Sequence, residues 1–146
     1  MIILLDSPPL SLLTHAKVPP STVAVLQWAR DMRVAGHTLR VPAVADYEVR
    51  RELERSKKLR SIVRLDGWRG EYLPLTESAI KLAARLWAQV RNGGLTTADP
   101  KELDGDVLIA AQALDLGLPA SDFIVATSNV SHLSRLVPAD EWQNIK

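Results

Sequence analysis

The segment Leu103-Asp104-Gly105-Asp106-Val107-Leu108-Ile109-Ala110-Ala111-Gln112-Ala113-Leu114 constrains the fold most. After two carboxylates separated by a glycine it is apolar on nearly every face, and a helix apolar all round is a buried helix. The segment therefore predicts a helix running through the core of the domain. Asp104 and Asp106 open it, where unpaired amides and the positive end of the helix dipole favour negative charge. Either Asp104 is an N-cap with Asp106 in the first turn, or Asp106 points into a carboxylate cluster that holds a metal ion. Taken alone, the segment favours the cap.

Length bounds the rest. At 146 residues the chain reads as one domain over positions 1–146, long enough to bury a sizeable core. Few aromatics imply that the core is built from Val, Leu, Ile and Ala. The absence of cysteine removes disulfides and thiolate metal sites and suits a cytoplasmic protein. Met1 to Leu5 is apolar but is broken at once by Asp6, Pro8 and Pro9, so no signal peptide is expected. No apolar run is long enough for a membrane span. The net charge of +1 predicts no partner. Its distribution says more, because positions 50–69 hold eight of the eighteen basic residues against Glu52, Glu54 and Asp66. That excess suits a polyanion-facing surface or an ordinary solvated helical face.

Met1 to Leu5 predicts a strand buried on both sides, as in parallel sheets covered by helices. Leu10 to Ala16 predicts a short helix and Lys17 to Pro20 a loop. Val25, Trp28, Ala29 and Met32 give an amphipathic helix from Ser21, stopped by Gly36. Thr38 to Val41 predicts a second strand, and Pro42 starts a helix reaching Arg55. Leu59, Ile62 and Val63 suggest another helix before Gly67 and Gly70. Pro74 confines a strand at Glu71 to Leu75 to an edge or a strand end. Thr76 caps a helix with Ile80, Ala83, Ala84 and Trp87 on one face, ending at Asn92-Gly93-Gly94. Leu95 to Lys101 is read as loop. Phe123 to Ala126 is a second doubly buried strand, Val130 to Leu136 a short helix, and Glu141 to Lys146 a last edge strand. Strands alternating with helices give an α/β layered fold with a mainly parallel sheet.

In such sheets the functional edge is the carboxyl end of the strands. Asp6 follows the first strand directly, and Thr127 and Asn129 follow the strand at 123–126. Asp106 begins a helix, which in this alternation also lies near a functional edge, and Glu48 lies about two turns into the helix after the second strand, one turn after Val44 on the same face. Each has an ordinary explanation. Asp6 serves as a turn residue, Glu48 as a partner for Arg51 or Arg55, and Thr127 and Asn129 as turn hydroxyl and amide. Jointly they suggest more, because carboxylates gathered at one place repel and raise one another's pKa. A divalent cation relieves that repulsion, and oxygen-only ligands suit Mg²⁺ or Mn²⁺. Walker-type phosphate loops and nucleophile elbows are absent. His15, His37 and His132 lack zinc spacing, and only His132 falls near the expected edge, with a structural or substrate-side role.

Four segments carry a family resemblance: Asp6-Ser7 after an apolar strand, Tyr47-Glu48-Val49-Arg50-Arg51-Glu52-Leu53, Asp104-Gly105-Asp106-Val107-Leu108-Ile109-Ala110-Ala111, and Ile124-Val125-Ala126-Thr127-Ser128-Asn129. In that order they resemble PIN-domain proteins, most of all the VapC-type toxins of bacterial toxin–antitoxin modules. The resemblance covers the whole chain and implies a PIN-like three-layer α/β/α fold and a Mg²⁺- or Mn²⁺-dependent endoribonuclease. By it, Asp6, Glu48 and Asp106 are the acidic ligands, Asp104 is an additional acid, and Thr127 positions water or substrate phosphate. Asn129 stands where a fourth carboxylate is often found, which weakens a second metal site. Pro8 departs from the polar residue often seen after Asp-Ser. Family members leave a 5′-phosphate and a 3′-hydroxyl.

Arg50, Arg51, Arg55, Lys57 and Lys58 would track RNA phosphates. Trp68 or Tyr72 would stack on a base or pack in the core or a dimer. The resemblance also implies a homodimer and an antitoxin whose amphipathic helix covers the cleft. The apolar faces around Trp28 or Trp87 serve such contacts or an ordinary core. The rival reading is a non-catalytic binding or scaffold module, including a phosphoacceptor-like domain using Asp6, although no lysine is convincingly placed for that chemistry.

Overall fold

The computed structural model of the chain describes residues 1–17, 19–68, 71–94 and 100–146. Five strands, β1 (Ile2–Leu5), β2 (Thr38–Pro42), β3 (Tyr72–Leu73), β4 (Phe123–Ala126) and β5 (Ala139–Asp140), form one sheet in the order β3-β2-β1-β4-β5. Every pairing is parallel. In the centre Ile3 is opposite Leu39 on one side and Ile124 on the other. Ile3, Leu4 and Leu5 are wholly buried, as a strand with helices over both faces requires.

The helices are α1 (Ser7–Thr14), α2 (Pro20–Val34), α3 (Ala43–Arg55), α4 (Leu59–Asp66), α5 (Glu77–Asn92), α6 (Pro100–Leu114) and α7 (Val130–Leu133). With the sheet they make the expected three-layer α/β/α architecture. The prolines at 8 and 9 sit in the first turn of α1, where a missing amide is harmless, so this helix starts earlier than its apolar residues suggest. Thr76 caps α5 as expected, its hydroxyl accepting from Ala79 N at 3.0 Å.

α6 is the buried helix. Leu103, Val107 and Ala111 pack with Ala79 and Ala83 of α5, while Ile109, Ala110 and Ala113 join the core formed with the sheet. Its one wholly buried polar residue, Gln112, is fully bonded. Its Oε1 accepts from Val44 N at 3.2 Å, and its Nε2 donates to Leu73 O at 2.9 Å and Pro74 O at 3.2 Å.

Several expectations need correction. α6 begins at Pro100, so Asp104 is not its N-cap and Asp106 is not in its first turn. The expected loop at 95–101 lies outside the described residues except for Pro100 and Lys101, which are helical. On α4 the buried residues are Ser61 and Leu65, whereas Leu59 and Val63 face outward. On α5 the buried face is centred on Ala79 and Ala83, and Ile80 is exposed. α7 stops at Leu133. The last edge strand is Ala139–Asp140, and Trp142–Asn144 is a 3-10 turn instead. Trp28 is a core residue. It lies against Trp142 with ring centroids 5.8 Å apart and donates from Nε1 to Ile145 O at 3.0 Å.

Candidate active site

Parallel strands leave their carboxyl ends at one edge, and two site residues are fixed there by the backbone. Asp6 N donates to Ala126 O at 3.0 Å, and Thr127 N donates to Asp140 O at 3.0 Å. Asp6 caps α1, its Oδ1 accepting from Ser7 N at 2.8 Å, and its Oδ2 accepts from Thr127 Oγ1 at 2.7 Å. The same hydroxyl accepts from Asn129 N at 2.9 Å. Asn129 Nδ2 in turn donates to Asp106 Oδ1 over a long 3.4 Å. A polar chain thus links Asp6, Thr127, Asn129 and Asp106 from distant parts of the sequence.

Glu48 enters from α3. It is half-buried against Gly105, where a Cβ would stand 3.5 Å from Glu48 Oε1. That is ordinary van der Waals contact, so the backbone at 105 packs directly beside the carboxylate and a methyl group there would still fit. Ser7 Oγ is buried and lacks a well-formed hydrogen bond, yet lies close enough to Glu48 to favour its ionised form.

The three carboxyl groups share one electrostatic condition. Burial raises the pKa of Asp6, against the lowering effect of Thr127 and the Ser7 amide. Burial and then the Asp6 charge raise Glu48, with Arg51 opposing. Burial and then Asp6 push Asp106 up to about 6, with His132 and Asn129 opposing. His132 Nδ1 stands 3.6 Å from Asp106 Oδ2 and has no hydrogen-bond partner of its own. This donor set of hard oxygens with unrelieved negative charge fits a divalent cation in type. Among the described residues no three such groups are yet drawn round a single point, so binding would require them to close inward.

Other expected site residues fall elsewhere. Asp104 is exposed, about 200° round the helix from Asp106 at about 100° per residue, and does not join the cluster. Arg50 is held by Asp46 and Asp66, each at 2.9 Å. Arg55 is paired with Glu52, and Arg51 lies over the Tyr47 ring. Lys57 and Lys58 are exposed. Trp68 carries the Arg33 guanidinium 4.6 Å from its ring centroid, and Trp87 packs in the α5–α6 cluster beneath Arg91. Ser7 beside Glu48, Gly105 against the same carboxylate and Gln112 between α3 and α6 take their places from packing rather than from any sequence spacing. A single amide side chain in an otherwise apolar helix was the signal available for Gln112.

Solved structures share this arrangement of elements. A chain of VapBC2 from Rickettsia felis, a complex bound to a DNA fragment from its promoter, superposes with TM-score 0.71, covering 97% of this chain and 99% of that one at 17% identity. VapBC-1 from nontypeable Haemophilus influenzae gives 0.67, with 99% and 100% covered at 18% identity. The fold is PIN-like. FitAcB from Neisseria gonorrhoeae matches the same PIN-like chain with TM-score 0.68, 98% and 99% coverage and 19% identity. No protein-family model and no curated protein matches the sequence. Among the described residues, no helix of this PIN-like domain is long and apolar enough to cross a membrane.

Proposed function

We propose that this chain is a Mg²⁺- or Mn²⁺-dependent endoribonuclease and the toxin of a type II toxin–antitoxin pair, acting in the cytoplasm as a homodimer until its antitoxin covers the cleft. One observation carries the reading. Asp6, Glu48 and Asp106, from three separate segments, approach one another at the carboxyl edge of a parallel sheet, the pKa of Asp6 raised by burial and those of Glu48 and Asp106 by burial and then by the Asp6 charge. The sequence resemblance and the likeness of fold to VapBC and FitAcB chains support the same assignment.

Asp6, Glu48 and Asp106 would hold the cation. When bound, such an ion lowers the pKa of a water molecule and offsets charge developing on a phosphodiester. Thr127 fixes the rotamer of Asp6 by donating to Oδ2, and Asn129 fixes Thr127 through its backbone amide. Burial of Asp6 and Thr127 excludes bulk solvent from this side of the cluster. Asn129 presents its amide N–H to Asp106, so it acts here as a donor to a carboxylate and adds no negative charge.

RNA cleavage in Mg²⁺ or Mn²⁺ tests the reading. Wild type should cut, EDTA should abolish cutting, and Asp6→Asn and Asp106→Asn should be folded and inactive. Variants that cut as well as wild type would overturn the assignment of these carboxylates. The scaffold reading gains weight from Asn129, which removes one charge from the cluster. Calorimetry separates the two, because a scaffold would take up no divalent ion at millimolar concentration.

A further inference from the structure

From Glu48 a groove runs away from the carboxylate cluster. A cavity of about 390 Å³ between α1, α3 and α4 has Ser7, Glu48, Arg55, Lys58 and Ser61 among its walls. A second, of about 460 Å³, shares His15, Lys58 and Ser61 with it and adds Lys17, Lys57 and Arg60. The two therefore form one path from the cluster to the N-terminus of α4. Beyond Glu48 the acid on this path is Glu52, which is already occupied by Arg55. Arg64 Nη1 donates to His15 O at 2.6 Å and fastens α4 beside the end of α1.

α4 opens without a cap. Lys58 supplies no side-chain acceptor, and the first backbone bond of the turn runs from Ile62 N to Lys58 O at 3.1 Å. Among the described residues the amides of Leu59, Arg60 and Ser61 meet no acceptor. Ser61 is 4% exposed, its hydroxyl makes no hydrogen bond among the described residues, and it lines both cavities. The residue is buried but its hydroxyl opens to the groove, where a ligand oxygen can take the place of water as its partner. Free helix amides, an unpartnered hydroxyl and four surrounding cations together describe an anion site.

We propose that the N-terminus of α4 is a subsite for a backbone phosphate of single-stranded RNA, gripping the strand some way from the carboxylates. The proposal rests on the nuclease reading and adds to it where the substrate is held. A cleft between helices admits a flexible strand and excludes a duplex. It also replaces Arg50 and Arg55, whose guanidinium groups are engaged by acids, with Lys17, Lys57, Lys58 and Arg60 as the cations that meet the polymer.

The test is binding of a fluorescent, unstructured oligoribonucleotide in EDTA, measured by anisotropy at several salt concentrations. Lys58→Glu combined with Arg60→Glu, both at exposed positions, should weaken binding about tenfold at low salt. The slope of log K against log salt should flatten by about 0.7 for each phosphate that the variant no longer neutralises. Ser61→Ala should weaken binding about threefold at unchanged slope, as loss of one neutral hydrogen bond. Lys81→Glu on α5, remote from the groove, should match wild type. Charge-reversed protein that behaves like Lys81→Glu overturns the subsite. So does a variant whose RNA affinity is intact while its affinity for an acidic protein segment falls. Parallel cleavage assays in Mg²⁺ keep the two readings apart. Wild type that binds through α4 without cutting sinks the nuclease reading and leaves the subsite standing. Wild type that cuts, with variants binding and cutting equally well, sinks the subsite alone.

Discussion

Thr127 is the residue through which the site is wired, since its single hydroxyl donates to Asp6 and accepts from Asn129 N. Thr127→Val keeps the shape but leaves a buried carboxylate oxygen and an amide without partners. Urea unfolding should show a loss of about 1–3 kcal/mol, and a loss near zero would mean the hydroxyl does not hold Asp6. Asp106 makes the opposite prediction. Its carboxyl titrates at 3.8 when unperturbed and is pushed up to about 6 in the fold. Between those values the native state binds more protons than the unfolded chain, so stability falls as pH rises through the interval. In EDTA, Asp106→Asn should therefore be more stable than wild type by about 1–2 kcal/mol at neutral pH. The advantage should vanish below about pH 4. A gap that widens on acidification would show the sign to be wrong.

At the scale of elements, the sequence was most legible where burial is two-sided. The strands at Ile2–Leu5 and Phe123–Ala126 and the helix around Ile109 are apolar in every direction, so no choice of face is needed. Legibility fell where a helix had to choose. Leu59, Ile62 and Val63 look like the inner face of α4, yet the helix turns Ser61 and Leu65 inward, the hydroxyl toward the groove and the leucine into the core. Leu59→Lys and Val63→Lys should thus change stability by less than about 0.5 kcal/mol, whereas Leu65→Ala should cost about 2–5 kcal/mol. Reversal of that order in denaturant titrations would restore the sequence-based face. The start of α3 was equally hidden. Pro42 offers no side-chain cap, and the acceptor for Val44 N comes from Gln112 on α6, 68 residues away. Gln112 ties the helix that carries Glu48 to the one that carries Asp106. Gln112→Leu should cost about 2–4 kcal/mol through three orphaned backbone groups, with faster hydrogen exchange at the Val44 amide.

Across the whole molecule, the candidate site follows from topology. β1 lies between β2 and β4, so the chain leaves three adjacent strands at one edge, and Asp6, the α3 segment with Glu48 and Thr127 all emerge there. That much could be reasoned from strand order and spacing. The misplaced Asp104 could not, because the true start of α6 lies before the two acids and turns Asp104 outward. A fold that gathers like charges in this way spends stability that a cation can return. Binding to the native state alone stabilises it by RT ln(1 + [L]/Kd), about 1.4 kcal/mol at ten times Kd, or about 3–6 °C in Tm for a domain of this size. Thermal melts in Mg²⁺ or Mn²⁺ should show that rise for wild type, larger at about pH 8 than near pH 5.5, where a proton on Asp106 competes with the ion. Asp6→Asn and Glu48→Gln should lose the rise while melting as single transitions. An equal rise in all three proteins would mean that the ion binds elsewhere, and the three carboxylates would then be neighbours without a common ligand.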